Sequence, residues 1–320
     1  MGGLLGAELL RFRSRRLVRI MVLIAFGILA LVQVRIFTVS HREVAAARLR
    51  AEQRLEDVRA QCEGLKLAGK APTDIDCSRT LTGENGEPLT ADDFYEEPRL
   101  LARDALRQGA QAIAVAATML AFVLGASFIG AEWNAGTMQA LLFWEPRRGR
   151  VLLAKGVALV VGTAVIALAL QAFCYGALYL TAATRGSTAG VTAGVQTSVL
   201  LVMLRGLVIV SVGALVGYGV AGLARITGAA LGVALVYFAL VENLVWGFRP
   251  GWVRFLFSQN IGAVLLKHQS VPSAHARTAI LEGSNVGYRL SGVRGALTLG
   301  VYLAVLLGAF AVSFRRRDVT

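Results

Sequence analysis

Residues 197–223 read TSVLLVMLRGLVIVSVGALVGYGVAGL, 27 residues that contain one charge, Arg205, and no proline. At a rise of 1.5 Å per residue, about 20 such residues cross the roughly 30 Å hydrocarbon core of a bilayer. The stretch is a membrane span, and it is not alone. Residues 17–37, 110–131, 154–181, 227–247 and 296–314 qualify by the same length and apolarity. The composition agrees, with 320 residues of which 56% are apolar and 17% charged and a mean hydropathy of +0.61. Those values exclude an ordinary water-soluble globule, a disordered chain and a small disulfide scaffold. The fold class expected is an all-α polytopic membrane protein with six transmembrane helices.

The formal net charge of +13 would suggest nucleic acid in a soluble protein. No RNA- or DNA-binding signature interleaves aromatics with the basic runs, so nucleic acid is not an expected partner. The charge instead reports topology, because Lys and Arg collect on cytoplasmic loops. Arg11, Arg13, Arg15, Arg16 and Arg19 precede the first span, and Arg315, Arg316 and Arg317 follow the last. An even number of spans then places both termini in the cytoplasm, with basic residues about twice as dense inside as outside. The apolar core of the first span is too long for a signal peptide and lacks a small-residue cleavage pattern, so it is expected to be retained. Residues 2–16 set Leu4, Leu5, Leu9 and Phe12 near one face against arginines, which suits a helix lying in the inner interface. The alternative is a solvated leader. Arginine outnumbers lysine 29 to 4, a composition that points to a GC-rich genome and a bacterial inner (plasma) membrane.

The chain divides at 1–37, 38–108, 109–247, 248–295 and 296–320. Residues 38–108 form an outer segment. Within it, residues 41–66 are rich in strong helix formers, pair Arg48 with Glu52 and Arg59 with Glu63 at i,i+4, and are expected to carry the first membrane helix outward. Thr90–Asp93 offers a capping box, and Pro98 restarts a helix that feeds the second span. Together these give a small helical ectodomain. Cys62 and Cys77 both lie in it, where an oxidising exterior favours a loop-closing disulfide. Cys174 stands alone in a span and reads as a buried small residue. Between the fifth and sixth spans, Gly251–His268 is apolar but interrupted by Ser258, Gln259 and Asn260, so it should dip into the outer leaflet rather than cross it.

Several apparent motifs dissolve on inspection. Gly64–Lys70 (GLKLAGK) begins like a P-loop, but Ala71 stands where Ser or Thr must hold magnesium and Pro72 blocks the helix that should follow. Gly217, Gly219 and Gly222 spell a dinucleotide fingerprint in mid-span with no strand before them. They read as packing positions, as do Gly213, Gly228 and Gly232 in small-xxx-small spacing. Asp92, Asp93, Glu96 and Glu97 suit a helix first turn better than a cation site, and His41, His268 and His275 lack metal-ligand spacing, so no metal site is assigned. No catalytic arrangement stands out, and no cofactor is assigned to the chain. Arg205 and Glu242 are intramembrane charges at similar depth, which suggests an interhelical ion pair.

The most informative stretch is Gly125–Lys155, GASFIGAEWNAGTMQALLFWEPRRGRVLLAK. A helix is expected to leave the membrane, remain amphipathic over about residues 132–145 and break at Pro146. Glu132 would begin its exposed part, followed by Trp133 and Asn134. Gly136 and Thr137 relax a turn, and Met138, Leu141, Leu142 and Trp144 leave an apolar surface for a partner.

This loop resembles that of the membrane subunits of ATP-binding-cassette transporters of the type-2 exporter class, in which E-x-x-x-G-T, leucines, P-x-R and a lysine follow in order. Glu132, Gly136, Thr137, Leu141, Leu142, Pro146, Arg148 and Lys155 fill those places. The terminal F-R-R-R-D, Phe314–Asp318, and the re-entrant segment extend the likeness along the chain. The long outer segment between the first two spans departs from the short loop of many members, and it suggests a sensor, a gate or the seat of an external partner.

The resemblance implies a non-catalytic membrane permease. Its loop helix would dock on a separate ATP-binding-cassette ATPase, present in two copies and carrying ATP and magnesium, with Glu132 at the contact. A second copy of the chain or a similar subunit would complete the membrane part, among membrane lipid. The expected function is export of an amphipathic or lipid-like compound. The alternatives are an ion-coupled secondary transporter using Arg205 and Glu242, or a non-transporting scaffold.

Overall fold

A computed structural model describes residues 2–40, 44–67, 89–95, 99–137, 147–272 and 287–316. Among the described residues, six helices are long and apolar enough to span a bilayer. With the shorter elements between them they run, in chain order, as α1 (Gly2–Ser14), α2 (Arg16–Val39), α3 (Val44–Leu67), α4 (Ala102–Asn134), α5 (Arg148–Arg185), α6 (Ala193–Ala224), α7 (Thr227–Phe248), α8 (Phe257–Leu266), a hairpin of β1 (His268–Pro272) and β2 (Gly287–Ser291), and α9 (Gly292–Arg316). The spans are α2, α4, α5, α6, α7 and α9, and each contains the stretch expected from sequence.

The chain forms two compact units, residues 1–30, 106–176 and 192–320 in one and 31–105 and 177–191 in the other. The core of the larger unit is built on missing side chains. A Cβ at Gly217 would overlap the carbonyl of Phe122, one at Gly213 would meet Thr118, and one at Gly125 would meet the Ala214 carbonyl. Helices α4 and α6 are therefore in backbone contact, the close approach that small residues permit in a span. Gly222 accepts the ring of Phe310 from α9 in the same way. Gly228 and Gly232, expected to pack likewise, face open space, because α7 is the least buried of the six spans. Cys174 is buried, as expected of a small residue in a span.

Between α7 and α9 come a 3-10 turn (Pro250–Phe255) and α8, whose ten residues alone cover about half the thickness of a bilayer core. Helix α8 is shorter than the six candidate spans. Asn260 pins it from within by donating to the carbonyls of Arg254 and Leu256, and the Tyr302 hydroxyl of α9 donates to the Phe255 carbonyl. The antiparallel hairpin that follows, in register His268 to Ser291 and Pro272 to Gly287, was not expected.

In the smaller unit α2 ends at Val39, Ser40 is not helical, and α3 is described over Val44–Leu67. Ala47, Ala51 and Leu55 form the buried face of α3 at i,i+4 spacing. Thr90 and Asp93 make the anticipated capping box, though only on a four-residue 3-10 turn, Ala91–Phe94. The Ser40 hydroxyl accepts from Leu100 N–H, and Arg185 stacks over Phe37 while donating to its carbonyl. Cys62 lies on α3, whereas Cys77 falls outside the described residues.

Candidate functional site

The site lies where α4 ends and α5 begins. Helix α4 terminates in a turn at Ala135–Gly136, with Gly136 at φ +67°, a left-handed cap that glycine adopts without steric cost. Gly136 N–H donates to the Trp133 carbonyl, and the Thr137 hydroxyl to that of Glu132. Asn134, Gly136 and Thr137 are exposed. Met138, Leu141, Leu142, Trp144 and Pro146 fall outside the described residues, as does most of the expected docking helix.

Glu132 is not the start of an exposed surface, because it is 95% shielded within the chain's own fold, 5% remaining exposed. Its Oε1 accepts from Arg15 at 2.7 Å, and its Oε2 faces Lys155 Nζ at 2.7 Å. Lys155, with no exposed surface at all, reaches at the same time Glu8 Oε2 at 2.8 Å. The remaining oxygen of Glu8 accepts from Arg11 at 3.1 Å. All four carboxylate oxygens are thus matched by a cation, the geometry that a buried ionic group requires to offset its desolvation. Beneath the ions lies Phe128, with Arg15 4.7 Å and Lys155 5.3 Å from its ring centroid. Phe12 of α1 meets that ring edge-on at 5.6 Å and fills the notch left by Gly162 on α5.

Burial pushes the Arg15 guanidinium below its ordinary value, and the neighbouring Glu132 and Glu8 carboxylates oppose that fall. Arg15 also donates to the Ser127 carbonyl. The ionic cluster therefore ties α1 to both α4 and α5, the two helices that flank the loop. Sequence reasoning missed Glu8 and treated Arg15 as a topology charge only. The signal was present in GGLLGAELLRFRSRR, where Glu8 is the one acid and sits i+4 and i+3 from Leu4 and Leu5 and i−4 from Phe12. An acid on an apolar stripe calls for a buried cation.

Trp133 and Arg148 also turn inward. The indole packs edge-on against Phe314 at 5.9 Å, with the Arg225 guanidinium 4.7 Å from its ring. Arg148 donates to the carbonyls of Phe314 and Arg315, a cation on the last carbonyls of α9. A cation at that helix end is favoured by its dipole and satisfies carbonyls left without intrahelical donors.

The expected Arg205–Glu242 ion pair is not formed. Glu242 is buried, and its carboxylate accepts from Ser258 N–H in the first turn of α8, while the Tyr237 hydroxyl accepts from Phe257 N–H. A carboxylate is favoured at the positive end of a helix, so the short helix α8 takes the partner that Arg205 was expected to have. Arg205 lines a cavity with other cations instead. Because the two charges have no shared contact, Arg205→Ala and Glu242→Ala are expected to add within about 0.5 kcal/mol in the double variant. Thermal unfolding of the four purified chains checks this, and recovery in the double variant would restore the pair.

The ABC-2 family transporter protein model matches residues 9–319, nearly the whole chain. No curated protein matches the sequence at a significant level. The matched span takes in the six membrane helices and the ion-braced loop between α4 and α5, and family members are membrane subunits that work with an ABC ATPase. On that coverage and this architecture, the chain belongs to the ABC-2 family and is a multi-pass transmembrane subunit of an ABC transporter.

Proposed function

We propose that the chain is the permease of an exporter in which the loop between α4 and α5 docks on a separate ATPase subunit and passes its movement to the spans. The observation that carries this reading is the bracing of both loop ends: Glu132 and Lys155 fix them to α1, and Trp133 and Arg148 fix them to the end of α9. A loop that only connected two helices would need none of these ties. Force applied to residues 134–147 reaches four helices at once. The exposed residues Asn134, Gly136 and Thr137 belong to the contact surface, together with Met138, Leu141, Leu142 and Pro146, while Glu132, Trp133 and Arg148 hold it from behind.

In this reading two copies of the chain, or one with a similar partner, sit over two ATPases that bind ATP and magnesium. Both termini face the cytoplasm of a bacterial inner membrane, and α1 lies in the interface. A disulfide between Cys62 and Cys77 closes the outer segment, a seat for an external partner. The cargo is an amphipathic or lipid-like compound moved outward. An ion-coupled carrier built on an Arg205–Glu242 pair loses support because the Glu242 carboxylate accepts from Ser258 N–H and does not pair with Arg205.

Affinity purification of the tagged full chain from its native membrane, in mild detergent, tests the reading by mass spectrometry. The wild type should bring an ABC ATPase in near-equal amount. Asn134→Arg with Thr137→Arg should lower that recovery about tenfold, the effect of roughly 1.4 kcal/mol, with the chain's own elution unchanged. Repeated wild-type preparations without an ATPase would overturn the proposal.

A further inference from the structure

Near the start of α6 the larger unit holds a cavity of about 360 Å³, within the range of about 300–1,000 Å³ typical of small-molecule sites. Three cations line it, Arg107 of α4, Arg205 of α6 and Lys267 at the end of α8, with the hydroxyl residues Thr197 and Ser198. The rest of its wall is leucine, valine and glycine, and none of the residues lining it is acidic. Among the described residues, none of the three cations has an ion-pair or side-chain hydrogen-bond partner.

The arrangement is built rather than incidental. Thr197, Ser198, Leu201 and Arg205 recur on one face of α6 at i, i+1, i+4 and i+8, so the helix period itself aims them at the cavity. Lys267 is held at φ +74°, a left-handed conformation that a side chain rarely adopts, and its carbonyl accepts from Gly292 N–H at 2.8 Å. Arg205 is half-buried, thirteenth in an apolar span, where an arginine without a counter-charge is costly. Three like charges around one hollow also repel each other. An anion in the hollow removes both penalties.

We propose that this cavity binds the phosphate headgroup of an anionic amphiphile. Guanidinium groups match phosphate oxygens two at a time, an ammonium adds a third positive contact, and hydroxyls complete the donor set. The volume admits a headgroup and excludes two acyl chains. Those chains have a path, because Leu200, Leu201 and Leu204 on the span α6 and Leu266 at the end of α8 are exposed apolar surface. Basic pockets between membrane helices recognise lipid headgroups by this chemistry. The site does not depend on ATPase docking.

The purified full chain in detergent, offered equal amounts of phosphatidylglycerol and phosphatidylcholine, tests the proposal by native mass spectrometry. Wild type should retain phosphatidylglycerol in about tenfold preference. Arg107 and Lys267 are exposed, so their replacement leaves packing intact. Arg107→Gln and Lys267→Gln should each cut the preference severalfold, and the double variant should abolish it. Arg205→Lys should keep most of it. Equal retention of the two lipids by the wild type, or an unchanged preference in the double variant, would overturn the proposal. Inorganic phosphate is the separate arm. If it alone raises the melting temperature as much as phosphatidylglycerol does, the site is for a free anion and the amphiphile is wrong. Loss of ATPase recovery in the earlier experiment moves none of these readings, so the two proposals fail separately.

Discussion

Replacing Lys155 with methionine is expected to cost the folded chain about 3–5 kcal/mol, the penalty for breaking a buried ionic group by removal of one partner. Methionine matches the aliphatic stem but leaves Glu8 Oε2 and Glu132 Oε2 buried without a cation. Most of the loss is the cost of those two orphaned oxygens rather than the worth of the original pairs. Removing one negative charge along with the positive one should therefore restore much of the stability. In Lys155→Met with Glu8→Gln, the Arg15–Glu132 pair remains intact and Arg11, half-exposed, is free to turn to solvent. Thermal unfolding in detergent, with size-exclusion elution as a check on folding, measures both variants. A single variant as stable as wild type would contradict the ionic geometry, and a double variant no better than the single would contradict the charge-balance argument.

Glu132→Arg is expected to be as damaging, and for a reason different from the one sequence alone suggests. Read from the loop motif, the reversal should leave an inserted complex whose ATP hydrolysis is uncoupled from transport. In the folded chain the new guanidinium would face Arg15 and Lys155 where each now meets a carboxylate within 2.7 Å. Three cations would share one buried space, with Glu8 as the only acid paired there among the described residues. The expected result is release of α1 and a loss of several kcal/mol, with low recovery of the chain as well as of the ATPase. Glu132→Gln separates the two effects, since it keeps the shape and removes only the charge. Circular dichroism and limited proteolysis at the α1–α2 junction read the release. An intact α1 in Glu132→Arg, with only ATPase recovery lost, would return Glu132 to the contact surface.

The spans were legible because apolarity and length are properties of contiguous sequence. The shortness of the apolar helix at Phe257–Leu266 was legible for the same reason, since Ser258, Gln259 and Asn260 interrupt the run. Pairing was harder to read. Glu8 and Lys155 lie 147 residues apart, and no local period joins them. Arg205 and Glu242 misled because equal depth is a necessary condition for pairing and not a sufficient one. What decided the outcome was a backbone N–H at Ser258, a donor that carries no sequence signature. The hairpin escaped notice because ten strand residues, separated by a long stretch and containing a proline, lack sustained alternation. The glycines of GYGVAG were read rightly as packing positions, whereas Gly228 and Gly232 have the same spacing and no neighbour.

The contact of α4 with α6 has a mechanical meaning. Where two helices meet through side chains, they can slide or rotate by exchanging rotamers. Here Gly213 and Gly217 bring α6 onto the main chain of α4, and no intervening layer exists to rearrange. A change in crossing angle would press α6 against the Phe122 carbonyl at Gly217, against Thr118 at Gly213, and α4 against the Ala214 carbonyl at Gly125. If the loop at the Glu132 end of α4 receives a push, as proposed above, these contacts favour movement of α4 and α6 together as one body.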